Sequence, residues 1–193
     1  LWFDEALSIA DSRSLQSGFG SGFHPPFFYY LLHAWLPFSE SSDSLVRLVA
    51  AVPGALTVLA VYLAGWRFFN ERAGVLAAAV LAVASLHVEY SQEVRMYALA
   101  ALLTTLATVA LAELMRRWPT ASNGTKWRLA ISYTVLAYFA IATHYLSVLP
   151  IAGQALALLL CWKQTREVVI RLAVLQIPAM LGATVAIFGL GYG

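Results

Sequence analysis

Residues Leu129 to Trp162 read LAISYTVLAYFAIATHYLSVLPIAGQALALLLCW and contain no charged side chain. A helix rises about 1.5 Å per residue and the hydrocarbon core of a bilayer is about 30 Å thick, so this run is too long for one crossing and long enough for two. We therefore predict a helical hairpin whose turn lies near the polar residues Thr143, His144 and Tyr145. Pro150 falls within its second arm.

Other uncharged runs lie on both sides of this hairpin. They are Leu48–Trp66, Ala73–Val88, Met96–Ala112 and the run from Leu172 to the end, which contains Pro178. With 61% hydrophobic and 11% charged residues and a mean hydropathy of +0.74, the chain lies outside the range of soluble domains. The sequence predicts an all-α polytopic membrane protein in which residues 45–193 form a bundle of about six spans.

The basic residues predict the orientation of the bundle. If the spans alternate, nine Lys and Arg residues fall on one side, and only Arg13, Arg47 and Arg95 fall on the other. The nine are Arg67, Arg72, Arg116, Arg117, Lys126, Arg128, Lys163, Arg166 and Arg171. Because cytoplasmic turns are enriched in Lys and Arg, we expect an inner (plasma) membrane protein with the nine residues in the cytoplasm. The Asp4 segment, the His87–Arg95 turn and His144 would then lie outside.

Residues 1–44 form a polar, glycine-broken segment that we predict to be an extracytoplasmic catalytic loop with short interfacial helices. Asp4 can cap a helix through about Ser14, and Pro25-Pro26 can start a second helix over Phe27–Leu36. At about ten residues the second helix is too short to span and is rich in interfacial aromatic residues. Since the chain opens on Leu-Trp-Phe, we expect it to be a fragment that lacks at least one preceding span.

Asp4 and Glu5 form an acidic pair beside Trp2 and Phe3. Such a pair can be a helix N-cap followed by a first-turn acid, which the helix dipole favours. At the membrane surface the same pair would be partly desolvated, which raises a carboxylate toward the strength of a base. Both explanations stay open on these residues alone.

Further polar residues on the same side are candidate substrate-binding groups: His24, Glu93, Arg95, Tyr97 and His144. Each has a structural alternative. His24 before a proline can be an extended loop residue, Arg95 can pair with Glu89 or Glu93 on the surface, and His144 can satisfy a helix end. A functional Arg95 would instead hold an anionic group, since its planar fork binds two phosphate oxygens.

Several classes of function find no support in the sequence. The single cysteine, Cys161, excludes a disulfide framework and a thiolate metal cluster, and a net charge of +2 spread over short turns does not indicate nucleic-acid binding. A phosphate-binding glycine loop, an HExxH motif and a placeable Ser-His-Asp set are missing. We therefore predict no metal and no cofactor.

Four stretches carry a resemblance to a known family: WFDE at 2–5, HPPFFYYLLHAW at 24–35, RLVAAVPGALTVLAVYLAGWRFF at 47–69 and HVEYSQEVRMYAL at 87–99. Together they resemble the GT-C glycosyltransferases of the dolichyl-phosphate-mannose protein mannosyltransferase type, to which bacterial lipid-A sugar transferases are similar. The resemblance is good to about Trp118 and only topological beyond it.

The resemblance implies a GT-C-type helical bundle whose first extracytoplasmic loop carries the catalytic Asp-Glu motif, matched here by Asp4 and Glu5. It implies transfer of a sugar, with inversion, from a polyprenyl-phosphate donor to a protein, lipid or glycan acceptor on the outer face. Because phosphate leaves without a proton, one carboxylate base suffices and cations such as His24 and Arg95 would stabilise the leaving group. The alternative is a multispan transporter or lipid flippase, which would place charges or broken helices near mid-membrane.

Overall fold

The computed structural model describes residues 2–14, 25–39 and 42–190, and every regular element in these ranges is helical. The helices are α1 (Phe3–Arg13), α2 (Phe27–Ser39), α3 (Asp43–Phe68), α4 (Glu71–Val83), α5 (Ser85–Gln92), α6 (Tyr97–Arg117), α7 (Asn123–Thr143), a short 3-10 helix (Tyr145–Ser147), α8 (Val148–Leu160) and α9 (Trp162–Leu190). The prediction of an all-α fold is confirmed.

The predicted hairpin forms with its turn at His144. This residue ends α7, and its Nδ1 atom accepts the N–H of Leu146 at 3.2 Å, which starts the 3-10 helix. At the other end of α7 the hydroxyl of Ser122 accepts the N–H of Thr125 at 3.3 Å, as a serine N-cap does. Polar residues at both ends therefore define the first arm of the hairpin.

Two helices of the described part are long and apolar enough to cross a bilayer, α3 and α6. The pair α4 and α5 would make a third span if it is counted as one, although it bends by 62°. The arm α8 has only 13 residues, and α7 carries Asn123, Lys126 and Arg128 in its first two turns. The number of six spans stays a prediction.

The bend between α4 and α5 departs from the uninterrupted span predicted over Ala73–Val88. It occurs at Ala84, in a stretch without proline or glycine, so local sequence does not cause it. Tertiary contacts hold α5 across α3 instead: His87 Nε2 lies 3.2 Å from the carbonyl oxygen of Gly54. A Cβ at Gly54 would lie 2.2 Å from Ser91 Oγ, so only glycine lets α5 come this close.

The opening helices follow the prediction with two corrections. Trp2 rather than Asp4 is the N-cap of α1, because the Glu5 carboxylate at the third helical position accepts the Trp2 N–H at 2.8 Å. Helix α2 continues three residues beyond Leu36 to Ser39 and includes Pro37. The buried side of α1 is polar, whereas its apolar residues are mostly exposed, as a helix at a membrane surface requires.

Two hydrophobic clusters hold the bundle together. The first joins α6, α7, α8 and α9; its most buried members include Ala107, Leu114, Ala130, Tyr133 and Val168. The second joins α2, α3 and the start of α6; its most buried members include Phe28, Leu32, Leu36, Val94 and Met96. The second cluster lies beneath α1 and fixes the backbone on which the candidate site is built.

Candidate active site

Glu5 is the buried centre of this end of the bundle, with a relative exposure of 1%. Its two oxygens accept four N–H groups: from the Trp2 backbone at 2.8 Å, from Val94 at 3.1 Å, and from Arg47 Nε and Nη2 at 3.2 and 3.0 Å. A fork-to-fork pair of this kind is geometrically specific. Glu5 therefore ties α1 to α3 and to the segment before α6.

The pKa of Glu5 reflects two opposing effects. Burial raises the pKa of this carboxyl, but the hydrogen bonds from Arg47, Trp2 and Val94 and the charge of Arg47 outweigh it. The net result is a pKa below the ordinary value of 4.5, so Glu5 is ionised at neutral pH. The catalytic role predicted for Glu5 stays a prediction, and these contacts favour a positioning role.

Asp4, next to Glu5 along the helix, points to the surface instead; its side chain is 59% exposed. One of its oxygens accepts a hydrogen bond from Nη1 of Arg95, which is 91 residues away in the chain. The predicted alternative, a surface pair of Arg95 with Glu89 or Glu93, is thus replaced by a pair with Asp4. The fold brings together the proposed base and the proposed phosphate ligand.

The backbone before α6 explains how Arg95 is aimed. Val94 and Met96 are almost fully buried in the second cluster, with exposures of 0% and 1%, and Arg95 between them must face the other way. The Arg95 N–H also closes a tight turn on the Glu93 carbonyl at 2.7 Å. Its Nε atom is buried and has no hydrogen-bond acceptor among the described residues, so part of the guanidinium remains unsatisfied.

A row of aromatic rings continues from Arg95. The Arg95 guanidinium carbon lies 5.3 Å from the Tyr97 ring centroid, and Tyr97 packs against Tyr90 at 4.7 Å and His144 at 5.3 Å. His144 in turn stacks on Tyr145 at 4.9 Å with an interplanar angle of 14°. Three of the predicted binding residues, Arg95, Tyr97 and His144, are therefore contiguous.

The other two predicted binding residues are Glu93 and His24. Glu93 lies at the end of α5, and burial raises the pKa of its carboxyl, with further contributions from nearby carboxylates and an opposing one from Arg95. Within the described ranges Arg95 Nη1 donates its hydrogen bond to the Asp4 carboxylate and not to that of Glu93. The binding role predicted for Glu93 stays a prediction. His24 lies outside the described residues.

An open cavity of about 440 Å³ adjoins this row of aromatic rings. His87 and His144 line it together with hydroxyl-bearing residues of α3 and α6, among them Thr57, Thr104 and Thr108. Across the described ranges, no cluster of three or more His, Cys, Asp and Glu side chains is arranged to hold a metal ion.

Comparison with known families identifies the family of the chain. The family model described as dolichyl-phosphate-mannose-protein mannosyltransferase matches residues 23–190. The chain belongs to this family. Comparisons with curated proteins and with solved structures find no match. The expected resemblance is confirmed, and it extends well beyond Trp118, where the sequence indicated only a shared topology.

Membership of this mannosyltransferase family makes the chain a membrane protein of a glycosyltransferase family. The matched range includes Arg95, Tyr97 and His144, whereas Asp4 and Glu5 precede it. Arg47, which holds Glu5 in place, also lies inside it and was not singled out in the sequence. Arg47 and Glu5 are 42 residues apart, and no spacing pattern connects them.

Proposed function

We propose that this chain carries the catalytic centre of a membrane glycosyltransferase that uses a polyprenyl-phosphate sugar as donor. The acceptor is a hydroxyl group of a protein, lipid or glycan on the extracytoplasmic face of the inner membrane. The observation that carries the proposal is the contact between Asp4 and Arg95 at the end of the bundle. It supplies one anionic group and one cationic group, which are the two that the transfer needs.

Each partner has a separate task. Arg95 binds the donor phosphate, whose negative charge grows as the bond between the sugar anomeric carbon and the phosphate oxygen breaks. Asp4 accepts the proton of the acceptor hydroxyl while its oxygen forms the new bond to the anomeric carbon. Polyprenyl phosphate leaves as an anion without needing a proton.

Inversion requires the base and the leaving phosphate to lie on opposite faces of the sugar. Asp4 and Arg95 are hydrogen-bonded to each other, so the donor must separate them and place its sugar between the carboxylate and the guanidinium. The phosphate replaces Asp4 as the partner of Arg95, which leaves the Asp4 carboxylate available to the acceptor. Glu5 keeps α1 anchored during this exchange through Arg47 and Val94.

Replacement of Arg95 tests this assignment. In donor titrations on the purified full-length protein, Arg95→Lys should raise the apparent KM for donor and lower kcat, since a point charge replaces a bidentate fork. Arg95→Ala should lower kcat/KM by about 100-fold or more. Arg72→Ala, which removes an exposed arginine of α4, is the matched control. Unchanged donor kinetics in Arg95→Ala would mean that the pair with Asp4 only holds α1 in place.

One observation supports the alternative of a transporter or flippase: the α4–α5 pair is bent, and broken helices recur in transporters. Membership of a glycosyltransferase family favours the enzyme. The two are separated by supplying radiolabelled polyprenyl-phosphate mannose to proteoliposomes. The enzyme releases polyprenyl phosphate and labels an acceptor, whereas a flippase moves intact donor between leaflets without breaking the sugar-phosphate bond.

A further inference from the structure

A second cationic cluster lies at the opposite end of α6 from Arg95. It consists of Lys126 and Arg171 packed against the indole rings of Trp118 and Trp127. Lys126 Nζ lies 4.8 Å from the Trp118 ring centroid, and the Arg171 guanidinium carbon lies 5.2 Å from Trp118 and 4.4 Å from Trp127. We call these four residues the indole cluster.

The cations of the indole cluster have no carboxylate partner within ion-pair distance in the described part of the chain. Arg171 Nη2 donates to the neutral Asn123 side chain at 2.9 Å, and Arg171 Nη1 is buried without an acceptor among the described residues. Both cations are half-buried. Lys126 and Arg171 are therefore two partly desolvated positive charges on the same indole ring, and only aromatic rings and the Asn123 amide stabilise them.

The neighbouring basic residues do have a carboxylate partner. Arg67, Arg116 and Arg117 all hydrogen-bond to the carboxylate of Glu113. Their charge is partly neutralised within the protein. A generally basic helix end does not explain why Lys126 and Arg171 lack such a partner.

The position of the indole cluster identifies the kind of anion that fits it. Trp118 ends α6, and 21 residues at about 1.5 Å each place it about 30 Å from Tyr97, which is the thickness of the hydrocarbon core. Tryptophan is enriched at this depth. Asn123 and Gly124 form the first turn of α7, whose free N–H groups favour a negative charge, and the space over Gly124 is open.

We propose that the indole cluster binds the phosphate of an acidic phospholipid, at the bilayer surface opposite Asp4 and Arg95. Lys126 and Arg171 supply the charge, the α7 N-terminus supplies backbone donors, and the indole rings lie among the upper acyl chains. This site does not depend on the glycosyltransferase assignment, because α6 separates it from the candidate active site.

A lipid titration of the purified full-length protein in detergent tests the proposal. Dioleoylphosphatidylglycerol should remain bound in native mass spectrometry and raise the thermal unfolding temperature, while dioleoylphosphatidylcholine and inorganic phosphate should do neither. K126Q/R171Q should weaken the apparent affinity for phosphatidylglycerol roughly tenfold or more, since charge-assisted hydrogen bonds are lost. K163Q/R166Q removes the same charge from exposed positions of α9 and should change it by less than about twofold.

Three results would overturn the site: equal binding of phosphatidylcholine, equal protection by inorganic phosphate, or an equal loss of affinity in K163Q/R166Q. If K126Q/R171Q does not fold, the wild-type protein still decides. Phosphatidylglycerol brominated near its ester groups should quench the fluorescence of Trp118 and Trp127 more than brominated phosphatidylcholine does. The variants W118F and W127F assign the signal to these two residues. Equal quenching by the two lipids contradicts the proposal.

Discussion

Asp4 and Glu5 are adjacent in the chain, yet a helix turns successive side chains about 100° apart, and here it gives them opposite surroundings. Glu5 has every oxygen engaged by N–H donors from three parts of the chain. Asp4 is largely exposed, and its carboxylate is paired with Arg95, from which a phosphate can displace it. A general base needs an oxygen that can take a proton, so these contacts favour Asp4 over Glu5 for this role.

Asp4→Asn should therefore abolish turnover while leaving expression and donor binding nearly intact. Loss of a general base typically costs about 100- to 10,000-fold in rate. Single-turnover assays with the full-length protein measure the chemical step, and donor retention on the detergent-solubilised variant measures binding. Glu71→Gln, an exposed acid of the first turn of α4, serves as the control. Wild-type turnover by Asp4→Asn would remove Asp4 from the mechanism.

The sequence identified these residue types but not their partners. Asp4 and Arg95 were both candidates because polar residues stand out in an apolar chain. Their contact spans 91 residues and depends on how α1 packs on α2 and meets the segment before α6, which no local spacing encodes. The contact of Arg47 with Glu5 was equally unpredictable, because the sequence marked Arg47 only as a basic residue in an outside turn.

Among the helices, α1 is held mainly by polar contacts, which include the buried Glu5 carboxylate and the 2.8 Å contact between the Ser12 carbonyl oxygen and His33 Nδ1 of α2. Glu5→Gln keeps one carbonyl oxygen, which can accept from Trp2 or from Val94 but not from both, and leaves Arg47 without its anion. Since Arg47 is about one-third exposed, we expect a loss of about 2 kcal/mol, below that of a fully buried pair. Thermal unfolding of the full-length variant measures it. An unchanged unfolding temperature would show that α1 is held by other contacts.

The same carboxylate predicts a pH dependence of stability. Because folding lowers the pKa of Glu5, its contribution is present above the ordinary value of 4.5 and is lost as the pH falls through the folded-state value. The wild-type advantage over Glu5→Gln in unfolding temperature should therefore be constant near neutral pH and shrink below about pH 4.5. A difference that stays constant down to pH 3 would rule out Glu5 as the source.

Helices α3 and α4 cross at two glycines, and this contact gives a prediction with a matched control. A Cβ at Gly65 would lie 2.5 Å from the Gly74 Cα atom, so Gly65→Ala must push the backbones apart and should destabilise the fold by about 1–3 kcal/mol. Gly153 in α8 has nothing within 4 Å of the same position. Gly153→Ala should be neutral or stabilising by up to about 1 kcal/mol. Equal effects in thermal unfolding would contradict the close crossing.

Helix existence was largely predictable, because charges end the apolar runs and His144 interrupts the longest one. The break at Ala84 was not, since no proline or glycine marks it, and the contact of α5 with Gly54 that goes with it lies far away in the chain. The buried polar side of α1 was also not predictable. Periodicity finds apolar faces, and Glu5, Ser8 and Ser12 give none.

In the described part of the molecule, one cluster of charged and aromatic residues lies at each end of α6. Asp4, Arg95 and the ring of His144 gather at one end. Glu113, its three arginines and the indole cluster gather at the other. This separation agrees with the basic-residue bias, which predicts that the second end faces the cytoplasm.

Cysteine labelling tests this orientation. In a Cys161→Ala background, which removes the exposed native thiol, Glu89→Cys lies at the Asp4 end and Lys163→Cys at the other, and both positions are exposed. A membrane-impermeant maleimide applied to intact cells should label position 89 and not position 163, because only the first faces outward; after permeabilisation both should react. Labelling of position 163 but not 89 in intact cells would place Asp4 and Arg95 on the cytoplasmic side, where the donor and acceptor proposed for them would have to be supplied from inside the cell.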